Sequence, residues 1–72
     1  MAKPTRVTNR IRRLRFEADE MTQAELADAI GLTRQTVNAI EQGKYSPSLE
    51  MAFRIARVFG VGLDDVFDYP EE

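Results

Sequence analysis

Cysteine and histidine are both absent from this 72-residue chain. Without cysteine there is neither a disulfide nor a thiolate metal site, and without histidine the usual zinc donors are gone as well. Catalytic parts are missing too. No histidine, cysteine or lysine stands beside a plausible base, and the carboxylates are scattered over positions that read as solvent-facing, so neither an enzyme nor a cofactor is expected. Long apolar runs are lacking: no uninterrupted stretch exceeds the three residues of Met51–Phe53. That is far short of a membrane span, and the opening residues are polar and basic rather than leader-like, so the expectation is a cytoplasmic protein with no membrane partner. The missing cysteine fits that compartment. No repeat, low-complexity tract or glycine-rich phosphate loop occurs. A chain this short is one domain that buries only ~60–65% of its unfolded surface, which leaves oligomerisation as the available reinforcement.

Charge is present but partitioned. The net charge of −2 argues against a nucleic-acid binder on the simplest rule, yet the distribution argues back. From Met1 to Phe16 there are six basic residues, Lys3, Arg6, Arg10, Arg12, Arg13 and Arg15, and no acid. Five acids and no base lie between Glu17 and Asp28, and five more acids without a base between Val58 and Glu72. Local fields can therefore attract phosphate while the whole molecule is acidic, although a charge run is more often a solvated face.

The chain is organised around Gln23–Gln42. Thr22 followed by Glu25 is a capping-box pattern that opens a helix with Leu26, Ala27 and Ile30 on one face. Gly31 suits the left-handed residue that closes a helix, and Thr33 can cap a second helix with Val37 and Ile40 inward. Ala27 sits where two such helices approach, and apolar Leu32 in the turn reads as a plug. Outside, Arg34, Gln35, Asn38, Ala39 and Gln42 form one arc of long donors and acceptors, with a small apolar residue and no acid. That arc suits base edges in the DNA major groove. A solvated face on an ordinary helical hairpin fits the arc as well.

Around this corner, Asn9 is expected to cap a first helix running to about Ala18, with Ile11, Leu14 and Ala18 buried and Phe16 pointing away. Gly43 ends the second helix of the corner, and Pro47 blocks continuation. Ser48 is then expected to cap a helix from Leu49 to Phe59, although Ser46 with Pro47 in the first turn would also serve. Its expected core stripe is Leu49, Ala52, Phe53, Ala56 and Phe59, which leaves Met51, Ile55 and Val58 together on a second apolar side. A helix apolar on two sides in so small a chain calls for a partner. Gly60–Gly62 turns into a short fifth helix from Leu63 to about Val66, and the tail places Phe67 and Tyr69 on one side and Asp68 on the other.

The run Thr22-Gln23, Glu25-Leu26-Ala27, Ile30-Gly31, Thr33-Arg34-Gln35-Thr36-Val37, Ile40-Glu41 and Gly43 resembles the helix-turn-helix of the phage repressor and Cro family. The likeness continues through Tyr45-Ser46-Pro47-Ser48-Leu49-Glu50 to Phe67 and is strongest to short stand-alone regulators of the cytolysin repressor type. It implies an all-α fold: a compact five-helix lambda-repressor-like DNA-binding domain over residues 9–67, after an extended segment 1–8 and before an acidic tail 68–72. A short β-pair between the terminal segments, Thr5–Thr8 with Val66–Tyr69, is a further implication. The link from Leu14 to Thr22 is one residue longer than the family's, which places an extra residue in the turn between helices one and two. In the family a basic residue near Arg15 pairs with the acid at Glu41.

The resemblance also implies a function: sequence-specific binding of double-stranded DNA as a homodimer in transcriptional control, with repression as its expected sense. Arg34, Gln35, Asn38 and Ala39 would read bases: Arg34 on guanine, Gln35 or Asn38 on adenine, Ala39 against a thymine methyl. Gln23, Thr33, Thr36, Lys44, Tyr45 and Ser46 would hold phosphates. Met51, Ile55, Val58, Val61, Leu63, Phe67 and Tyr69 would form the dimer face. No separate ligand-binding domain is visible, so no small-molecule ligand is expected. The alternative is an antitoxin-like protein-interaction module on the same fold.

Overall fold

Capping residues and glycines set where this backbone turns. The computed structural model describes residues 5–71, and along them run β1 (Thr8–Asn9), α1 (Ile11–Glu17), α2 (Gln23–Ile30), α3 (Arg34–Glu41), α4 (Leu49–Phe59), α5 (Leu63–Val66) and β2 (Phe67–Asp68). Residues 1–4 of the expected extended segment and Glu72 of the expected tail lie outside the described residues.

At the start of α2, Thr22 Oγ1 accepts the Glu25 N–H at 3.0 Å, and the Glu25 carboxylate accepts the Thr22 N–H at 2.8 Å. Two otherwise orphaned donors are thereby satisfied. Gly31 closes α2 at φ +76°, a conformation that costs a side-chain-bearing residue ~1–2 kcal/mol. Thr33 caps α3 and Ser48 caps α4 through their hydroxyls, as the spacing predicts. Asn9 differs by one position. It lies in β1, and Arg10 takes the cap position of α1, yet Asn9 Oδ1 still accepts the Ile11 N–H at 3.1 Å.

The core joins Ile11 of α1 to Leu26, Ala27 and Ile30 of α2, Val37 and Ile40 of α3, Ile55 and Ala56 of α4, and Val66 of α5. Leu32 packs against it from the turn, as a plug should. Helix α2 packs against both α3 and α4, so the corner rests on the rest of the core.

Helix α4 is rotated relative to the expected stripe. Leu49 and Phe53, expected inside, are 67% and 48% exposed, whereas Ile55, expected on the partner side, is 1% exposed. Met51 and Val58 are half-buried against the same core. The wheel holds two overlapping apolar arcs around Ala52, Ala56 and Phe59, and packing chooses between them. The small Ala52 and Ala56 bring α4 close to its neighbours, and compact Ile55 fits the enclosed space better than an aromatic ring. Ile55 is therefore a core residue and is withdrawn from the dimer face. Met51 and Val58 offer that face only their outer edges.

The terminal strands pair antiparallel as implied, but in a shifted place: Thr8 faces Asp68 and Asn9 faces Phe67. Arg10 N–H extends the pairing to the Val66 carbonyl at 2.8 Å. In the turn between α1 and α2, Asp19 and Glu20 both take positive φ, +60° and +56°. Phe16 is 70% exposed beside it.

Candidate nucleic-acid interface

Helix α3 presents its arc because Val37 and Ile40 are drawn into the core on the other side. Arg34, Gln35 and Gln42 are exposed, while Thr36, Asn38 and Ala39 are half-buried. The first turn of α3 carries no acid, so nothing quenches the positive end of its dipole. The Thr33 hydroxyl accepts the Thr36 N–H at 3.2 Å and lies 2.9 Å from the Thr36 hydroxyl. Among the described residues, the Arg34, Gln35 and Lys44 side chains bond to nothing in the protein and remain available to a ligand.

The other end of the arc is tied down. Arg15 Nε and Nη2 donate to the two oxygens of Glu41 at 2.6 and 3.0 Å, so the pairing that the resemblance implies takes the form of a two-bond fork. Arg15 Nη1 also donates to the Met21 carbonyl at 2.8 Å, which fastens the α1–α2 turn. Both side chains are nearly closed to solvent, 15% and 8% exposed. Gln23 Nε2 reaches from α2 to Glu41 Oε1 at 3.2 Å and to Asn38 Oδ1 at 3.1 Å, and Gln42 Nε2 approaches the same Asn38 oxygen at 3.4 Å. The structure therefore brings Gln23 and Asn38 together, although the sequence gives them separate tasks.

Lys44, Tyr45 and Ser46 are exposed on the loop beyond α3, which Lys44 N–H folds back by bonding the Ala39 carbonyl at 3.0 Å. Gly43 takes φ +72° just after the Gln42 cap, as expected of a residue that ends the helix. Its carbonyl accepts the Thr5 N–H at 3.1 Å, and the Ile40 carbonyl accepts Asn9 Nδ2 at 2.9 Å.

Arg12, which the sequence does not single out, stands beside the arc. It lines a recess of about 360 Å³ with Arg15, Gln23, Asn38, Glu41 and Gln42. Arg15 is neutralised there by Glu41, and exposed Arg12 supplies the remaining positive charge at the edge of the arc. The signal was available: Arg12 precedes Arg15 by three residues and so shares its helix face.

The expected dimer residues separate. Leu63 and Phe67 line an apolar groove of about 260 Å³ with Val7, Ser46, Pro47, Leu49 and Ala52. Val61 is half-buried against the core, and Tyr69 is exposed with the Arg6 guanidinium 5.6 Å from its ring centre.

Comparison with known proteins agrees with this geometry. A family model described as helix-turn-helix matches residues 11–66. An uncharacterised HTH-type transcriptional regulator of Methanocaldococcus jannaschii is 52% identical over 52 residues, covering 72% of this chain and 79% of that protein. The uncharacterised HTH-type transcriptional regulator YgzD of Bacillus subtilis is 42% identical over 64 residues, covering 89% of this chain and 96% of its own. The cryptic phage CTXphi transcriptional repressor RstR of Vibrio cholerae is 37% identical over 59 residues, 82% of this chain and 52% of that protein. A crystal structure of a Bacteroides fragilis protein is similar with a TM-score of 0.76 at 26% identity, covering 86% of this chain and 98% of that one.

Proposed function

We propose that this chain, which belongs to the helix-turn-helix family of DNA-binding transcriptional regulators, represses transcription by binding a two-fold duplex operator as a homodimer with α3 in the major groove. The observation that carries this reading is the acid-free arc of Arg34, Gln35, Asn38, Ala39 and Gln42, presented by a helix whose opposite side is locked into the core. The repressor name of the Vibrio cholerae relative supports repression. No helix among the described residues is long and apolar enough to cross a membrane, and the proposed site of action is the cytoplasm, where operator DNA is met.

Arg34 and Gln35 sit at the end of α3 that enters the groove, where guanidinium and amide groups meet base edges. Ala39 lies further along the same arc, sized for a thymine methyl. Thr33 and Thr36 with the α3 N-terminus, the backbone N–H of Gln23 at the start of α2, and Lys44, Tyr45 and Ser46 in the loop hold phosphates on either side and set the register. Arg12 joins them from α1.

Dimerisation is supported by what one copy leaves uncovered. Leu49 and Phe53 expose large apolar side chains on α4, and Leu49 continues into the groove of Val7, Pro47, Leu63 and Phe67. An antitoxin-like module, the alternative on the same fold, would rest on the acidic C-terminus and the second apolar face of α4, and of that face Ile55 is turned into the core.

Selection of bound duplexes from a random pool tests the reading. A two-fold consensus is expected, with affinity falling steeply as salt rises because phosphate contacts release counterions. Binding without a consensus, or with no salt dependence, would overturn it.

A further inference from the structure

We infer that Asn38 meets DNA as a hydrogen-bond donor only and therefore selects guanine over adenine at one base pair of each half-site. This rests on the major-groove reading of α3 and deepens it by naming what one position recognises.

The chain of constraint begins at the ion pair. Arg15 grips both oxygens of Glu41. A carboxylate held by a guanidinium offers lone pairs and nothing else. Gln23 lies 3.2 Å from Glu41 Oε1, so the amide must turn its NH2 group toward it. That same nitrogen is 3.1 Å from the Asn38 side chain, so Asn38 must answer with its oxygen. Gln42 Nε2, at 3.4 Å, addresses the same oxygen. An amide oxygen has two acceptor positions, and both are now engaged. What remains is Nδ2 with its two N–H groups, for which no partner occurs among the described residues. The sign of the charge on Glu41 thus fixes the polarity of Asn38 through Gln23, a positioning residue.

Adenine is read by an asparagine that both accepts from N6 and donates to N7. Asn38 has no oxygen left for N6. Guanine presents two acceptors, O6 and N7, which match two free donors, and thymine presents one. The sequence alone offers either Gln35 or Asn38 for adenine; the network turns Asn38 away from it.

The test uses the selected operator and its single-base-pair substitutions with wild type, Asn38→Ala and Gln23→Met. Both substitutions suit a helix, and neither touches the Thr22–Glu25 cap. For wild type, one base pair per half-site should favour guanine over adenine by about 5- to 150-fold, and Asn38→Ala should abolish that preference. Gln23→Met releases the Asn38 amide to turn over, so the guanine-to-adenine ratio at that pair should fall by about tenfold while preferences elsewhere hold. If Gln23 served only to hold a phosphate, its replacement would lower every affinity alike and leave the ratio unmoved. The inference is overturned if the Asn38-dependent pair favours adenine in wild type, if Asn38→Ala changes no preference, or if Gln23→Met leaves the ratio unchanged; sequence-specific binding would survive each of these. Absence of all sequence preference in wild type would instead overturn the function proposed above together with this refinement.

Discussion

Arg34 and Lys44 carry like charge on either side of one helix, yet their settings assign them different work. Arg34 opens α3 on the exposed arc, where a guanidinium can bond guanine in two places. Arg34→Ala should cost ~1–3 kcal/mol per half-site and relax preference at one base pair. Lys44 stands exposed on the loop after Gly43, where under the proposed function it would supply only charge to a phosphate. Lys44→Ala should weaken all sequences alike and make the dependence of log affinity on log salt shallower by about one unit per contact removed. Arg12→Ala should behave as Lys44→Ala does. Affinities on matched and substituted operators at several salt concentrations separate the two patterns. If Arg34→Ala lowered every affinity equally, or Lys44→Ala altered base preference, the assignments would be reversed.

The corner between α2 and α3 depends on close approach at Ala27, which is buried there. Ala27→Leu should destabilise the fold by ~1–3 kcal/mol through overpacking, with DNA affinity falling alongside the melting temperature. The α1–α2 turn predicts the opposite sign. Glu20 is exposed and held at φ +56°, where a Cβ is strained and glycine is not, so Glu20→Gly should stabilise by about 0.5–1 kcal/mol and raise the melting temperature by a few degrees. A lowered melting temperature would show that the turn is unstrained.

These elements also show what was legible in the sequence. Caps at Thr22, Thr33 and Ser48, the left-handed Gly31 and the extents of α2 to α5 depend on residues within a few positions of each other, and local chemistry sufficed for them. Rotation of α4 did not yield to the same reading. Its wheel offers two apolar arcs, and the choice between Phe53 and Ile55 rests on the shape of space left by α2 and α5, which no local pattern contains. The Gln23–Asn38 contact escaped for the same reason: its partners are fifteen residues apart and meet only after the corner has closed. For Phe16 the structure gives exposure and no role.

At the scale of the whole molecule, the acidic net charge and the basic approach to DNA are reconciled by placement, since Arg12, Arg34 and Lys44 flank or open α3 while the acids of residues 58–72 lie elsewhere in the chain. Leu49 and Phe53 are uncovered on α4, and Leu49 continues into the groove of Leu63 and Phe67, which meets the Lys44–Ser46 loop at Ser46. Leu49 belongs to both the helix face and the groove. Leu49→Glu should leave folding intact, because this side chain is exposed in the single copy, while shifting sedimentation at tens of micromolar toward the monomer and weakening binding to a two-fold operator. A variant that remained dimeric would move the interface elsewhere.

The bonds from Asn9 Nδ2 to the Ile40 carbonyl and from Thr5 N–H to the Gly43 carbonyl stitch the opening segment of the chain to the far end of α3, and Arg10 N–H stitches it to Val66 near the other terminus. Head, tail and reading helix are thus fastened at one corner of the molecule. A peptidase that trimmed the chain up to Asn9 would remove no residue of the arc, yet it would unfasten the end of the helix that carries it. Release of the operator would then follow clipping as a form of clearance that precedes unfolding, and bound DNA, by holding α3 in place, should in turn shield the opening segment from cleavage.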